Sequence, residues 1–177
     1  MSPHRSRFLL STATLVLLAL LARALPRQSP CMPVPYCPSQ ATSTGCFPRI
    51  DSLGCSSASA TAGFEIECKR LIPGTLAVLL YDVTGKATAK FFQGGVLCVS
   101  QPIFRTPAQF VGGFTQPPCE GRVVLDINAF AAGQLGGLPL PELQNPGTLV
   151  ACQWWTTDPG SPYNSNLSNA LRYVVGP

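Results

Sequence analysis

The chain has 177 residues, 46% of them hydrophobic and only 11% charged, with 12 basic side chains against 8 acidic ones. That hydrophobic content excludes a disordered chain, and the length suits a single domain. A formal charge of +4 is too small to argue for nucleic acid as a partner.

In chain order, residues 1–24 read as a secretory signal peptide. Arg5 and Arg7 give a positive start, 8–22 is an apolar run broken only by Ser11, Thr12 and Thr14, and Ala22-Arg23-Ala24 offers a small-x-small cleavage site. An uncleaved membrane anchor is the alternative, but the run falls short of the ~20 residues that a bilayer-spanning helix needs, and with the leader removed no membrane span is expected. Gln28-Ser29-Pro30 before Cys31 lacks the pattern that precedes a lipidated cysteine. Removing 24 of the 177 residues leaves 153, and the loss of Arg5, Arg7 and Arg23 reduces the 12 basic residues to 9 against 8 acids. His4, the sole histidine, goes too. Histidine is the usual general base near neutral pH and the commonest metal ligand, so Ser-His-Asp, Cys-His and histidine-containing zinc chemistry are excluded for the mature chain.

Residues 25–62, rich in Pro, Ser, Thr, Gly and Cys, have no sustained periodicity and read as an irregular segment stapled onto the domain. The domain proper, 63–177, carries short β-type runs bounded by Gly or Pro at 64–69, 75–83, 89–92, 96–99, 103–106, 122–127, 148–156 and 168–175. Residues 128–135 predict one short helical turn with Asn128 as its N-cap. Eight short strands at this spacing predict an all-β antiparallel sandwich in an Ig/fibronectin-like arrangement, with a small closed barrel as the alternative.

The eight cysteines, an even number in an exported chain, predict disulfides rather than a metal site, because no pair has C-x-x-C spacing. Strand parity turns Phe64, Ile66 and Cys68 to one face, and Val150, Cys152 and Trp154 likewise. Both cysteines then point inward, and Cys68 with Cys152 is the expected pair. Cys98 with Cys119 would close a Pro-rich loop and Cys37 with Cys46 would staple the N-terminal segment, which leaves Cys31 with Cys55.

An ordered set of motifs runs through most of the mature chain. It begins with Tyr36-Cys37, Thr44-Gly45-Cys46 and Gly94-Gly95-Val96-Leu97-Cys98. Pro102-Ile103-Phe104-Arg105-Thr106-Pro107, Gly112-Gly113, Pro117-Pro118-Cys119-Glu120-Gly121 and Leu125-Asp126-Ile127-Asn128-Ala129-Phe130 follow. It ends with Cys152-Gln153-Trp154-Trp155, Asp158-Pro159-Gly160 and Leu167-Ser168-Asn169-Ala170-Leu171. The set resembles a group of uncharacterised, cysteine-rich exported β-domains abundant in planctomycete bacteria. The resemblance implies a secreted or envelope-associated bacterial domain and transfers no catalytic residues. Thr157 stands where such domains often carry arginine, so no salt bridge to Asp158 is carried over. Cys31 and Cys55 look like additions to the family pattern, a second reason to pair them.

For ligand binding the candidates are Trp155, Gln153 and Tyr163. Trp154 and Trp155 face opposite sides of one strand and cannot form a single platform. Trp154 reads as core, whereas Trp155 either stacks on a ligand or packs under the 158–166 loop. Among the acids, Glu65 with Glu67 reads as a solvated strand face and Asp158 as a turn residue. Asp158, Asn164 and Asn166 offer oxygens of the kind that calcium takes, but loop capping is the expected role, since Asp and Asn favour turns. Asn166-Leu167-Ser168 fits a glycosylation sequon, which the bacterial resemblance discounts. No catalytic residue, metal or cofactor is expected. The leading expectation is a secreted or periplasmic, envelope-associated non-enzymatic domain that contacts a cell-surface protein or glycan. A carboxylate-dependent hydrolase and a disulfide-rich protease inhibitor acting through 107–119 are the alternatives.

Overall fold

The computed structural model describes residues 29–86 and 88–177, so the leader at 1–24 lies outside the described residues. Eleven strands follow in order: β1 Val34–Tyr36, β2 Arg49–Gly54, β3 Phe64–Leu71, β4 Leu76–Asp82, β5 Lys90–Phe92, β6 Gly95–Leu97, β7 Phe104–Arg105, β8 Gln109–Phe110, β9 Gly121–Asp126, β10 Leu149–Thr157 and β11 Ser165–Val174. A helical turn, α1 (Ile127–Ala131), follows β9, and a 3-10 turn spans Pro141–Gln144. β1-β11-β10-β4 form the large sheet, with β7 and β8 pairing successive stretches of the far edge of β4. The smaller sheet is β2-β3-β9, and β5-β6 is a separate hairpin. All of these strand pairs are antiparallel, and neither sheet closes into a barrel.

The two sheets pack as a sandwich because parity gives each an apolar inner face. Phe64, Ile66, Cys68, Val123 and Leu125 from the small sheet share one core with Ala77, Leu79, Tyr81, Val150, Cys152 and Trp154 from the large one. The ring of Phe64 meets Tyr173 edge-on at 4.9 Å, and Phe130 of α1 meets Tyr81 in the same way at 6.1 Å. The outer face of the large sheet is also covered. Leu80 and Leu167 pack there beneath Leu97 and Val99, with Val78, Phe92 and Trp155 at the margin. β4 is therefore buried on both sides, which explains its almost unbroken apolar sequence.

All eight sequence-expected strands are present. The 25–62 segment is less irregular than its composition indicates, since β1 joins the large sheet and β2 the small one. Their pattern was hidden because β1 is an edge strand containing Pro35, and β2 buries only Ile50 fully. β2 has a guarded free edge: Ile50 N–H donates to Asn169 Oδ1 and Ser52 N–H to Asp51 Oδ1, both at 2.9 Å. The helix cap also shifts. Asp126, the last residue of β9, accepts from Ala129 N–H at 3.0 Å and is the N-cap. Asn128, expected as the cap, is buried inside the helix, taking Ser57 N–H and donating to Cys55 O and Ala62 O. It ties the N-terminal segment to the domain.

The disulfides are Cys31–Cys55, Cys37–Cys98 and Cys46–Cys119. The expected local pairs Cys37–Cys46 and Cys98–Cys119 are thus replaced by links spanning 61 and 73 residues. Cys37 leaves β1 at the margin of the large sheet, where Tyr36 O–H donates to Cys98 O at 2.6 Å. That contact sets the two cysteines beside each other. Cys68 and Cys152 point inward as parity requires, but they are free thiols rather than a pair. Parity fixes a face and says nothing about position along the strand. Cys68 lies between Ile50 and Val123 in one sheet, and Cys152 between Tyr81 and Leu171 in the other.

Burial pushes both thiols well above the ordinary thiol range. Below about pH 8.5 both states hold these protons and stability is unaffected. Above it the unfolded chain releases them first, so stability falls as pH rises, by about 1.4 kcal/mol per unit for each thiol. A thiol-reactive dye is expected to count none in the native protein and two after unfolding, with the urea midpoint dropping above pH 9. Rapid native labelling at pH 8 would contradict this.

Candidate ligand pocket at Trp155

Three strands and a hairpin converge on the outer face of the large sheet. In β10, Trp154 faces the core, so Trp155 faces outward opposite Val78 of β4. In β7, Phe104 packs against the core at Tyr81, so Arg105 faces outward opposite Leu80. β11 carries a bulge here: Gln153 pairs with Ala170 and Trp155 with Leu167, leaving Ser168 and Asn169 opposite Trp154. The extra residue keeps Leu167 and Ala170 on one face and lets Ser168 Oγ accept from Trp154 N–H at 3.0 Å.

The β5-β6 hairpin closes over this surface through the two-residue turn Gln93-Gly94. Both have positive φ, 48° and 77°, as a tight hairpin turn of the right twist requires. Gly94 has a second reason to be glycine, because a Cβ there would lie 2.7 Å from the Tyr163 ring. The Gln93 Oε1 accepts from Trp155 Nε1–H at 3.2 Å and from Ser165 Oγ–H at 2.7 Å. The Gln93 carbonyl accepts from Gln40 Nε2–H. These bonds hold the indole edge and leave a pocket of about 210 Å³ with Val78 and Leu80 as floor, Phe92 and Trp155 as walls, and Gln93 and Arg105 at the rim.

Of the three sequence candidates, Trp155 lines this pocket. Tyr163 is half exposed and packs on the Gly94 turn beside it. Gln153 is fully buried below: its Oε1 accepts from Cys98 N–H at 2.9 Å, and its Nε2 donates to Val96 O and Ser168 O. Its amide fastens β6 to β10 and β11, and with both N–H groups used and the side chain fully buried it is out of reach of a ligand. Gln153→Leu is expected to orphan one donor and two acceptors, costing about 2–4 kcal/mol. An unchanged urea midpoint would refute that role. Sequence reasoning missed Phe92, Gln93 and Arg105. The available signal was β4, whose two apolar faces demand a cover on each side.

The acids are largely committed to the fold. Asp126 accepts from Gly63 N–H and Ala129 N–H, Asp82 from Thr84 and Ser100, and Asp51 from Ser52 N–H. Glu67 bridges Lys69 and Arg122. Asp158, fully buried, accepts from the N–H and hydroxyl of Ser43. Glu65 and Glu120 line a shallow, open depression with Arg122 and Phe114. Among the described residues no cluster of three or more His, Cys, Asp or Glu is placed to hold a metal. Asn166 of the sequon is buried and donates to Gln40 O, so its amide is inaccessible in the folded chain.

The 107–119 region contains β8 and an exposed loop at 112–118. Paired bonds between Gly112 and Arg122 hold the start of that loop, and Cys46–Cys119 holds its end. Phe114 at its tip is 82% exposed.

No known family, curated protein or solved structure matches the chain.

Proposed function

We propose that this chain is an exported, non-enzymatic sandwich domain that holds a cell-surface or envelope ligand, protein or glycan, in the Trp155 pocket. One observation carries the reading: a partly exposed indole, fixed by Gln93, forms the wall of a small apolar pocket with polar groups only at its rim. Support comes also from the disulfides, which persist in oxidising compartments. No helix among the described residues is long and apolar enough to cross a membrane. The motifs resembling planctomycete exported domains agree with this placement. The test is capture from envelope extracts and on glycan arrays by the oxidised protein and by Trp155→Ala. Loss of capture in the variant is expected; equal capture by both would remove the pocket from the function.

A second reading has its own support in the 112–118 loop, which is exposed, disulfide-anchored and tipped by Phe114. Such a loop suits a protease that accepts an aromatic side chain. Incubation with chymotrypsin-like enzymes separates the outcomes: lasting inhibition that Phe114→Ala removes would support it, and simple cleavage after Phe114 would end it.

A further inference from the structure

The groups that the Trp155 pocket leaves unoccupied share one character. Arg105 is exposed at the rim, and its guanidinium makes no hydrogen bond or ion pair among the described residues. None of the six lining residues is acidic. The carboxamide of Gln93 is oriented by chemistry, because an indole N–H can only donate and must face Oε1. Gln93 Nε2 is then left at the opposite end of that amide with no partner among the described residues, a second free donor. The side-chain groups left free around an apolar floor and an aromatic wall are thus donors, one of them a permanent cation.

We propose, on the premise that the Trp155 pocket is a binding site, that its ligand is an acidic sugar, a pyranose bearing a carboxylate. The apolar C–H face of the ring stacks on Trp155 over Val78 and Leu80, and the carboxylate accepts from Arg105 and Gln93 Nε2. The size agrees: about 210 Å³ lies below the ~300–1,000 Å³ that encloses a drug-sized ligand, which leaves room for one ring of a polymer. Both aspects of the ligand are needed, since a neutral apolar ring leaves the Arg105 donors unmatched and a bare anion leaves the indole uncovered. Arg105 suits a carboxylate because its planar fork presents paired N–H groups.

The test titrates the oxidised protein with trisaccharides of glucuronate, galacturonate and mannuronate, each beside its carboxyl-reduced neutral counterpart, by calorimetry and tryptophan fluorescence. At least one acidic sugar is expected to bind about tenfold more tightly than its neutral form, a margin that shrinks in high salt. Arg105→Gln, a surface change, is expected to erase that margin to within about twofold and keep the weak neutral binding. Trp155→Ala is expected to abolish both. Equal binding of acidic and neutral forms, or an Arg105→Gln variant that keeps the preference, overturns the acidic-sugar assignment while loss in Trp155→Ala leaves the pocket in place. Failure of every sugar also overturns it. In that case, capture of an acidic peptide that depends on both residues assigns the pocket to a protein partner. Capture indifferent to Trp155 removes the pocket itself.

Discussion

Trp154→Ala is expected to destabilise the domain by about 3–5 kcal/mol, while Trp155→Ala costs about 1–2 kcal/mol and leaves the fold intact. The two indoles are adjacent in sequence but face opposite layers. Trp154 is fully buried in the core between the sheets, so truncation leaves a cavity that flanking strands can only partly fill. Trp155 is partly exposed beside a pocket that already exists, and the change mainly enlarges it. Trp154 Nε1–H is buried without a hydrogen-bond partner among the described residues. Trp154→Phe therefore loses volume but orphans nothing, and it falls well below the alanine value. Urea unfolding at constant m-value checks all three variants. Similar costs at 154 and 155 would mean that the strand parity, and with it the pocket, is misassigned.

The other large effect concerns covalent links. Cys46→Ala with Cys119→Ala opens a connection spanning 73 residues, and chain-entropy reasoning puts the loss at about 4 kcal/mol. Small domains have about 5–15 kcal/mol in total, so this double variant is expected to be marginal at 37 °C. Non-reducing peptide mapping of the wild-type chain gives the complementary result, with Cys46 and Cys119 in one disulfide-linked pair of peptides. Recovery of Cys98 with Cys119 would restore the local pairing and contradict the fold around the hairpin.

The periodicity of the chain carried the sandwich because inner-facing residues recur at every second position. Phe64, Ile66 and Cys68 are all fully buried, and so are Val150, Cys152 and Trp154. What periodicity does not encode is which distant segments meet. Cys37 and Cys98 come together because β1 docks on β11 and β6 lies across the same sheet, a relation with no local signature. The helix cap was nearly legible: Asp126 and Asn128 are both good caps, and the choice fell to the residue that ends the strand. Trp155 was recognisable as a candidate from its parity. Its working neighbours were not, since Gln93 arrives on a hairpin turn and Arg105 on a two-residue strand. Gln153 shows the converse, a polar residue on the correct face that serves the interior.

The crossing pattern of the three links also determines how the chain tolerates damage. Cys31–Cys55, Cys37–Cys98 and Cys46–Cys119 overlap in sequence, each beginning before the previous one ends. Every peptide bond from Cys31 to Cys119 is therefore bypassed by at least one disulfide. A single proteolytic nick anywhere in that stretch leaves one covalent molecule, and the noncovalent core can hold the cut ends in register. Two separate local staples, Cys37–Cys46 and Cys98–Cys119, would by themselves leave all of β3 and β4 without that protection. In surroundings rich in proteases and without resynthesis, the interlaced arrangement gives a domain that survives a first cut.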